Sequence, residues 1–453
     1  MKIRVRSWQK LQLAKACNIQ ESRNKVLGKK TALSYIYDIT ETFSKKGESF
    51  VYNRNTYLER LFQWKDKPLI KIITGLRRSG KSTLLKLYIN SLLNSGTGKE
   101  RILYINKESL QFQHIATFED LYREVTAAYK KVKQKLYLFV DEVQEIDHWE
   151  KAVISLHSED IADIYLTGSN ARIFSGELAT LLGGRYIPIS VFPLTYSEYL
   201  MFRRKEKHDE DSFNEFLQYG GLPGIHHLQW EENVIYEYLN AVFDTIILRD
   251  IIKRNNIRNP AFLEKIIQFI FDNIAQIFSA KRVVDFLKQE HRRTNVETVY
   301  NYIQYLTDAH MIYRVPRYDI KGKRMLEVRE KYFVADIGLR HALLGYRAQD
   351  INQLLENIVF IELKKRGYRI FVGQFNNSEV DFIVEKDQQK AYLQIAYLLA
   401  SEETIQREFS PLSKIKDNYP KYVLSLDKHF LPDREGIKQF NIVDFLLSEE
   451  FPG

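Results

Sequence analysis

Residues Gly75 to Ser82 read GLRRSGKS and satisfy G-x-x-x-x-G-K-[ST] at every fixed position. An apolar run, Leu69 to Thr74, leads into this segment, and the amphipathic run Thr83 to Leu93 leaves it. Strand, glycine-bearing loop and helix are therefore expected in that order. Such a loop turns backbone N–H groups inward around a phosphate, and the helix N-terminus adds its positive dipole end. The reading assigns phosphate contacts to Gly75, Leu76, Arg77, Arg78, Ser79, Gly80, Lys81, Ser82 and Thr83. Lys81 reaches the β- and γ-phosphates as a catalytic cation, and the Ser82 hydroxyl ligates a metal ion. ATP with Mg2+ is the expected cofactor pair.

A second apolar run, Leu136 to Val140, ends in Asp141-Glu142 about 60 residues after the loop. Two carboxylates at the end of a buried strand sit where open α/β sheets bind ligands. Asp141 is expected to hold Mg2+ through water, and Glu142 to orient and deprotonate the attacking water. Further strand candidates are Ile102 to Asn106, Ile164 to Thr167 and Tyr186 to Ser190. Helical stretches separate most of them, which predicts a mostly parallel sheet covered by helices. Asn170, after the fourth strand, holds the attacking water or serves as a plain turn residue. Arg185 offers charge to the transition state, in cis or from a neighbouring chain, or is a solvated surface arginine.

The formal charge of +9 points to an anionic partner, but it is unevenly spread. Residues 1–50 hold eight Lys and three Arg against four Asp and Glu, a net +7, which leaves +2 for the rest. That segment has no sustained period and reads as a basic extension, loosely helical or flexible. The single cysteine, Cys17, forms no internal disulfide. No apolar run approaches the roughly 18 to 20 residues that span a bilayer, so a cytoplasmic chain without membrane contact is expected. The expected organisation is a basic extension (1–50), a phosphate-loop ATPase domain (51–200), a helical linker or lid (201–261), a winged helix (262–345) and a small α/β domain (346–453).

GLRRSGKS, LYLFVDEVQEIDHWE, LTGSN, LLGGRY and FPLTYSEYL together resemble one group of bacterial and archaeal AAA-type ATPases. Members of that group carry a C-terminal domain of unknown function. The resemblance continues through YGGLPG (Tyr219 to Gly224), DTIILRDI (Asp244 to Ile251) and KYFVADIGLR (Lys331 to Arg340), and covers roughly residues 54 to 430. It implies an additional-strand P-loop fold with a catalytic glutamate, in keeping with Glu142.

Ser279 to Glu290 reads as a helix with Val283, Phe286 and Leu287 on one face. Thr294, with Glu297, is expected to cap the next helix. Val296, Val299, Tyr300, Ile303 and Leu306 form its core-facing stripe. Two strands follow, Ile312 to Tyr318 and Met325 to Val334, joined by the basic tip Lys321 to Arg324. Helix, turn, helix and hairpin describe a winged helix, which the resemblance also implies. The second helix has no Lys or Arg from Val296 to Met311, and Asn301, Tyr302 and Tyr305 are its only candidates for touching DNA. Arg292, Arg293, Arg314, Arg317, Lys321, Lys323 and Arg324 flank it, which suits phosphate contacts to duplex DNA without sequence readout. The other reading is a winged helix that packs against the ATPase.

The C-terminal unit resembles the PD-(D/E)xK nuclease fold. Glu356 and Asp381 match two of its acids, but Gln394 replaces the third and Ala396 stands where its lysine belongs. A neutral amide is a weaker ligand for a hard cation. A retained fold serving recognition or assembly follows. The whole chain thus reads as a Mg-dependent ATP hydrolase whose nucleotide state drives a conformational switch. The alternatives are an ATP-gated DNA-binding or protein-interaction regulator with little hydrolysis, and a nuclease. A homo-oligomer or protein partner stays open.

Overall fold

The computed structural model describes residues 52, 54–171, 182–289, 295–429 and 431–448. The expected extension over 1–50 lies outside them, as do Arg292, Arg293 and Thr294. The first part of the chain runs α1 (Asn55–Gln63), β1 (Ile70–Thr74), α2 (Lys81–Asn94), β2 (Ile102–Asn106), α3 (Phe118–Val132), β3 (Leu136–Asp141), α4 (Trp149–Ser158), β4 (Ala162–Gly168) and β5 (Tyr186–Ser190). Every strand expected from the apolar runs is present. The strand order is β2-β3-β4-β1-β5, with the extra strand β4 next to β1, as the additional-strand reading requires.

Two compact units divide the chain. One comprises residues 65–70 and 85–165. Its strands β2 and β3 pair in parallel, with Leu103 opposite Leu138. Both are buried almost throughout, as crossover helices on a parallel sheet require. The helix α3 starts at a complete capping box, in which Thr117 and Asp120 satisfy each other's backbone amides. Phe139 stacks on Tyr165 at 4.8 Å, and the Tyr165 hydroxyl meets the Tyr88 hydroxyl at 3.0 Å.

The other unit comprises residues 52–64, 71–84 and 166–448 of the described chain. After β5 it continues α5 (Tyr196–Phe202), α6 (Glu210–Tyr219), α7 (Glu232–Thr245), a π-helical turn (Ile246–Lys253), α8 (Pro260–Asp272), α9 (Ala280–Gln289) and α10 (Val296–Asp308). Then come β6 (Ile312–Asp319), β7 (Arg324–Val334), α11 (Ile337–Leu344), α12 (Ile351–Lys365), β8 (Arg369–Phe375), β9 (Ser378–Lys386), β10 (Gln389–Ile395), α13 (Glu402–Ser413), β11 (Lys421–Ser425), β12 (Ile437–Asn441) and α14 (Ile442–Leu447). Strands β6 to β12 form a single sheet in the order β12-β11-β10-β9-β8-β6-β7.

The helix, helix, hairpin order is present, but the hairpin is no separate wing. Its strand β6 pairs in parallel with β8, Arg317 opposite Val372, so the hairpin extends the C-terminal sheet. Asn295, rather than Thr294, caps α10 by accepting the Thr298 amide at 2.7 Å. Val299, Ile303 and Leu306 face the core as expected, whereas Val296 and Tyr300 are exposed. Tyr302 turns onto Phe262 with ring centres 5.3 Å apart, which gives it a packing role instead of a surface for bases. Val283 is buried on α9, and the side chains of Phe286 and Leu287 lie outside the described residues.

Candidate functional site

The strand β1 is buried at all five residues and delivers the chain into the loop. Gly75 has φ 149°, and a Cβ on it would lie 2.1 Å from the Val191 carbonyl oxygen. Only glycine lets the loop pass that close to β5. Lys81 is buried, and its ammonium donates to the carbonyls of Gly75 and Leu76, each at 2.9 Å. It therefore sits at the hub of the loop, where α2 begins. The Ser79 hydroxyl is buried and has no hydrogen-bond partner among the described residues. An inward ammonium, an orphaned hydroxyl and a helix N-terminus form a donor set that fits nucleotide phosphates. Ser82 is half-buried, and Arg78 and Thr83 are exposed.

Arg77 of the loop makes a buried ion pair far along the sequence. Its guanidinium is buried and donates to Asp250 through Nε at 2.7 Å and Nη2 at 3.2 Å. Ser169 Oγ also donates to Asp250, at 3.5 Å. The side chain thus anchors the loop to the π-helical turn. Asn170, expected to hold water, is buried beside Ser169. Arg185 is exposed after the two positive-φ residues Gly183 and Gly184.

The strand end of β3 belongs to the other unit. Asp141 is 2% exposed and accepts from the Tyr104 hydroxyl at 3.0 Å. Glu142 is buried in the left-handed region at φ 58° and accepts from the Gln144 amide. A glutamate held in that region is strained, and such strain concentrates at functional positions.

Several residues that sequence reasoning did not single out converge on the loop. Arg54 is buried and donates to Ser79 O at 3.2 Å, Phe192 O at 2.9 Å and both Glu198 oxygens at 2.8 and 2.9 Å. Lys365 of α12 reaches the same carboxylate at 3.3 Å. Burial opposes the charge on Glu198, but Arg54 and Lys365 hold its pKa down to about 2. Gly221 N donates to Asp336 at 2.7 Å and Leu194 N to Gly221 O at 2.7 Å. The segments FPLTYSEYL, YGGLPG and KYFVADIGLR are thereby tied together. His310, between α10 and β6, is also buried, and burial with the charge of Lys81 lowers its pKa to about 3.

The nuclease outline is closed by a residue from another strand. Lys331 of β7 is 2% exposed, and its ammonium lies 2.7 Å from Glu379, 3.1 Å from Glu356 and 3.6 Å from Asp381. A protein cation therefore stands among the carboxylates. Gln394 Nε2 donates to Glu408 at 3.1 Å, which ties that side chain into the fold. Among the described residues no group of three or more His, Cys, Asp and Glu is arranged to hold a metal ion.

Among the flanking cations, Arg317 is buried and bonds Gln374 at 2.7 Å, and Arg314 lies 3.6 Å from Glu330. Lys321, Lys323 and Arg324 stay exposed at the hairpin tip. No described helix is long and apolar enough to cross a membrane.

A parallel α/β sheet with this loop at the end of β1 defines an AAA-type P-loop nucleotide-binding protein with an appended second region. Residues 67–200 match the family model of an AAA domain, AAA_14, and residues 210–350 match DUF8612, a domain of unknown function. An uncharacterised protein of Haemophilus influenzae is 36% identical over 398 residues, covering 87% of this chain and 98% of that protein. An uncharacterised protein of Methanocaldococcus jannaschii is 31% identical over 363 residues, 77% of this chain and 79% of its own length. The chain belongs to the family these proteins form. Among solved structures it is similar to the Walker-type ATPase PABY2304 of Pyrococcus abyssi, at 15% identity. That match covers 65% of this chain and 96% of that one, with a TM-score of 0.45.

Proposed function

We propose that the protein binds Mg·ATP at Gly75 to Ser82 and hydrolyses it, and that its nucleotide state sets the arrangement of the region after residue 200. The observation that carries this reading is the Lys81 ammonium at the hub of the loop, beside the orphaned Ser79 hydroxyl. Lys81 holds the terminal phosphates, and backbone amides of the loop hold the rest. Ser82 and Asp141 are the metal ligands, Asp141 through water. Bound Mg2+ neutralises charge on the phosphate oxygens. Glu142 takes the proton of the attacking water, Asn170 holds that water, and Arg185 supplies charge to the transition state from its exposed turn. The switch is supported by Arg77–Asp250, which joins the loop to the π-helical turn, and by Arg54, which joins Ser79 O to Glu198 of α5.

ATP binding and steady-state hydrolysis by the wild type, Lys81→Ala and Glu142→Gln test the reading. Lys81→Ala loses nucleotide affinity, and Glu142→Gln binds ATP but turns it over slowly. Normal ATP binding by Lys81→Ala rejects the phosphate role, and unchanged turnover by Glu142→Gln rejects the base.

A further inference from the structure

His310 sits at the C-terminal corner of α10. Its amide donates to Thr307 O at 2.9 Å, and the Met311 amide donates to Leu306 O at 2.9 Å. Those two bonds are a Schellman cap, whose left-handed position is normally glycine or asparagine. His310 holds that position at φ 54°, with an imidazole only 7% exposed. Its Nε2 has no hydrogen-bond partner among the described residues. The cationic Lys81 acts on it as well. Three unfavourable features thus meet in one side chain: left-handed strain, a buried unpaired nitrogen and a neighbouring ammonium.

The same corner lies against the loop's supports. Tyr313, three residues on, packs against Phe192 with ring centres 5.7 Å apart. The Phe192 carbonyl accepts from Arg54, which also donates to the Ser79 carbonyl. A phosphate oxygen beside Lys81 would supply the missing acceptor and neutralise the ammonium in one step.

We propose that His310 is a nucleotide-reading residue, whose Nε2–H donates to the terminal phosphate group held by Lys81. This rests on the proposed nucleotide site. It makes the corner between α10 and β6 a direct reporter of what the loop holds, and so couples phosphate to the C-terminal sheet through β6.

The test is calorimetric binding of a non-hydrolysable ATP analogue to the full chain, together with thermal unfolding without nucleotide. His310→Phe keeps a flat ring and removes the unpaired nitrogen. It should unfold at the wild-type temperature or higher, yet bind the analogue about tenfold more weakly, the ordinary loss for one hydrogen bond to a charged group. His310→Gln keeps a donor and should stay within about threefold of the wild type. If His310→Phe fails to fold, His310→Leu carries the same comparison. Wild-type affinity in the apolar variant, or equal weakening in His310→Gln, overturns the inference. A wild type that does not bind the analogue overturns the nucleotide site itself.

Discussion

Arg77 of the phosphate loop and Asp250 of the π-helical turn form a buried two-point ion pair, with distances of 2.7 and 3.2 Å. The side chains are 7% and 1% exposed. A guanidinium fork matches a carboxylate in the plane, which an ammonium does not. The loop proposed to hold phosphates is thus pinned to the π-helical turn through the Arg77 side chain.

Removing Asp250 leaves the Arg77 cation buried with its main partner gone, which in other proteins costs about 3 to 5 kcal/mol. Asp250→Ala should therefore lower the urea midpoint and weaken nucleotide binding together. Arg77→Lys should keep more stability than Arg77→Ala. Equal midpoints for wild type and Asp250→Ala would show that the pair contributes nothing.

Glu198 gives a pH dependence with a definite sign. Its folded pKa is about 2 and its ordinary value 4.5, so the unfolded chain binds more protons between them. The stability it contributes is complete above pH 4.5 and disappears as pH falls toward 2. At 1.36 kcal/mol per unit the full span is about 3 kcal/mol. Glu198→Gln should flatten the acid limb of the stability curve in that window. An acid limb identical to the wild type's sinks the assignment.

The expectation of duplex DNA at the hairpin is tested at Lys321, Lys323 and Arg324, which are exposed at its tip. Three phosphate contacts give a slope of about −2.7 for log affinity against log salt. Replacing all three with alanine in the full chain should remove that much slope. A steeper slope that survives the substitution places the contacts elsewhere.

The sheet of the first 200 residues was legible because parallel strands are near-continuous apolar runs, and the loop because its chemistry is contiguous in sequence. What escaped was long-range pairing. Arg54 meets Glu198 across 144 positions and Arg77 meets Asp250 across 173, and nothing local marks either partner. Lys331 was missed for a related reason. It lies on β7, and nothing local in the sequence places it beside Glu356 and Asp381. Thr294 was expected as the cap because Glu297 completed a pattern, and Asn295 is of a type that caps a helix as well.

Lys331 sets the last expectation. One ammonium faces Glu356, Glu379 and Asp381. Burial, and then the charge of Asp381, push Glu356 up, and burial pushes Asp381 up, while Lys331 works against both. A carboxyl raised in the folded state binds more protons there than in the unfolded chain. Its contribution is complete below the ordinary carboxylate range and is lost as pH rises through the folded value. Lys331→Met removes the opposing cation and drives both groups higher. The variant should lose about 3 to 5 kcal/mol at pH 8, the usual effect of stripping one partner from a buried pair. At pH 5, where the carboxyls keep their protons, the loss should shrink. Urea midpoints at the two pH values decide the matter. An equal loss at both means that Lys331 acts by packing its chain and not by its charge.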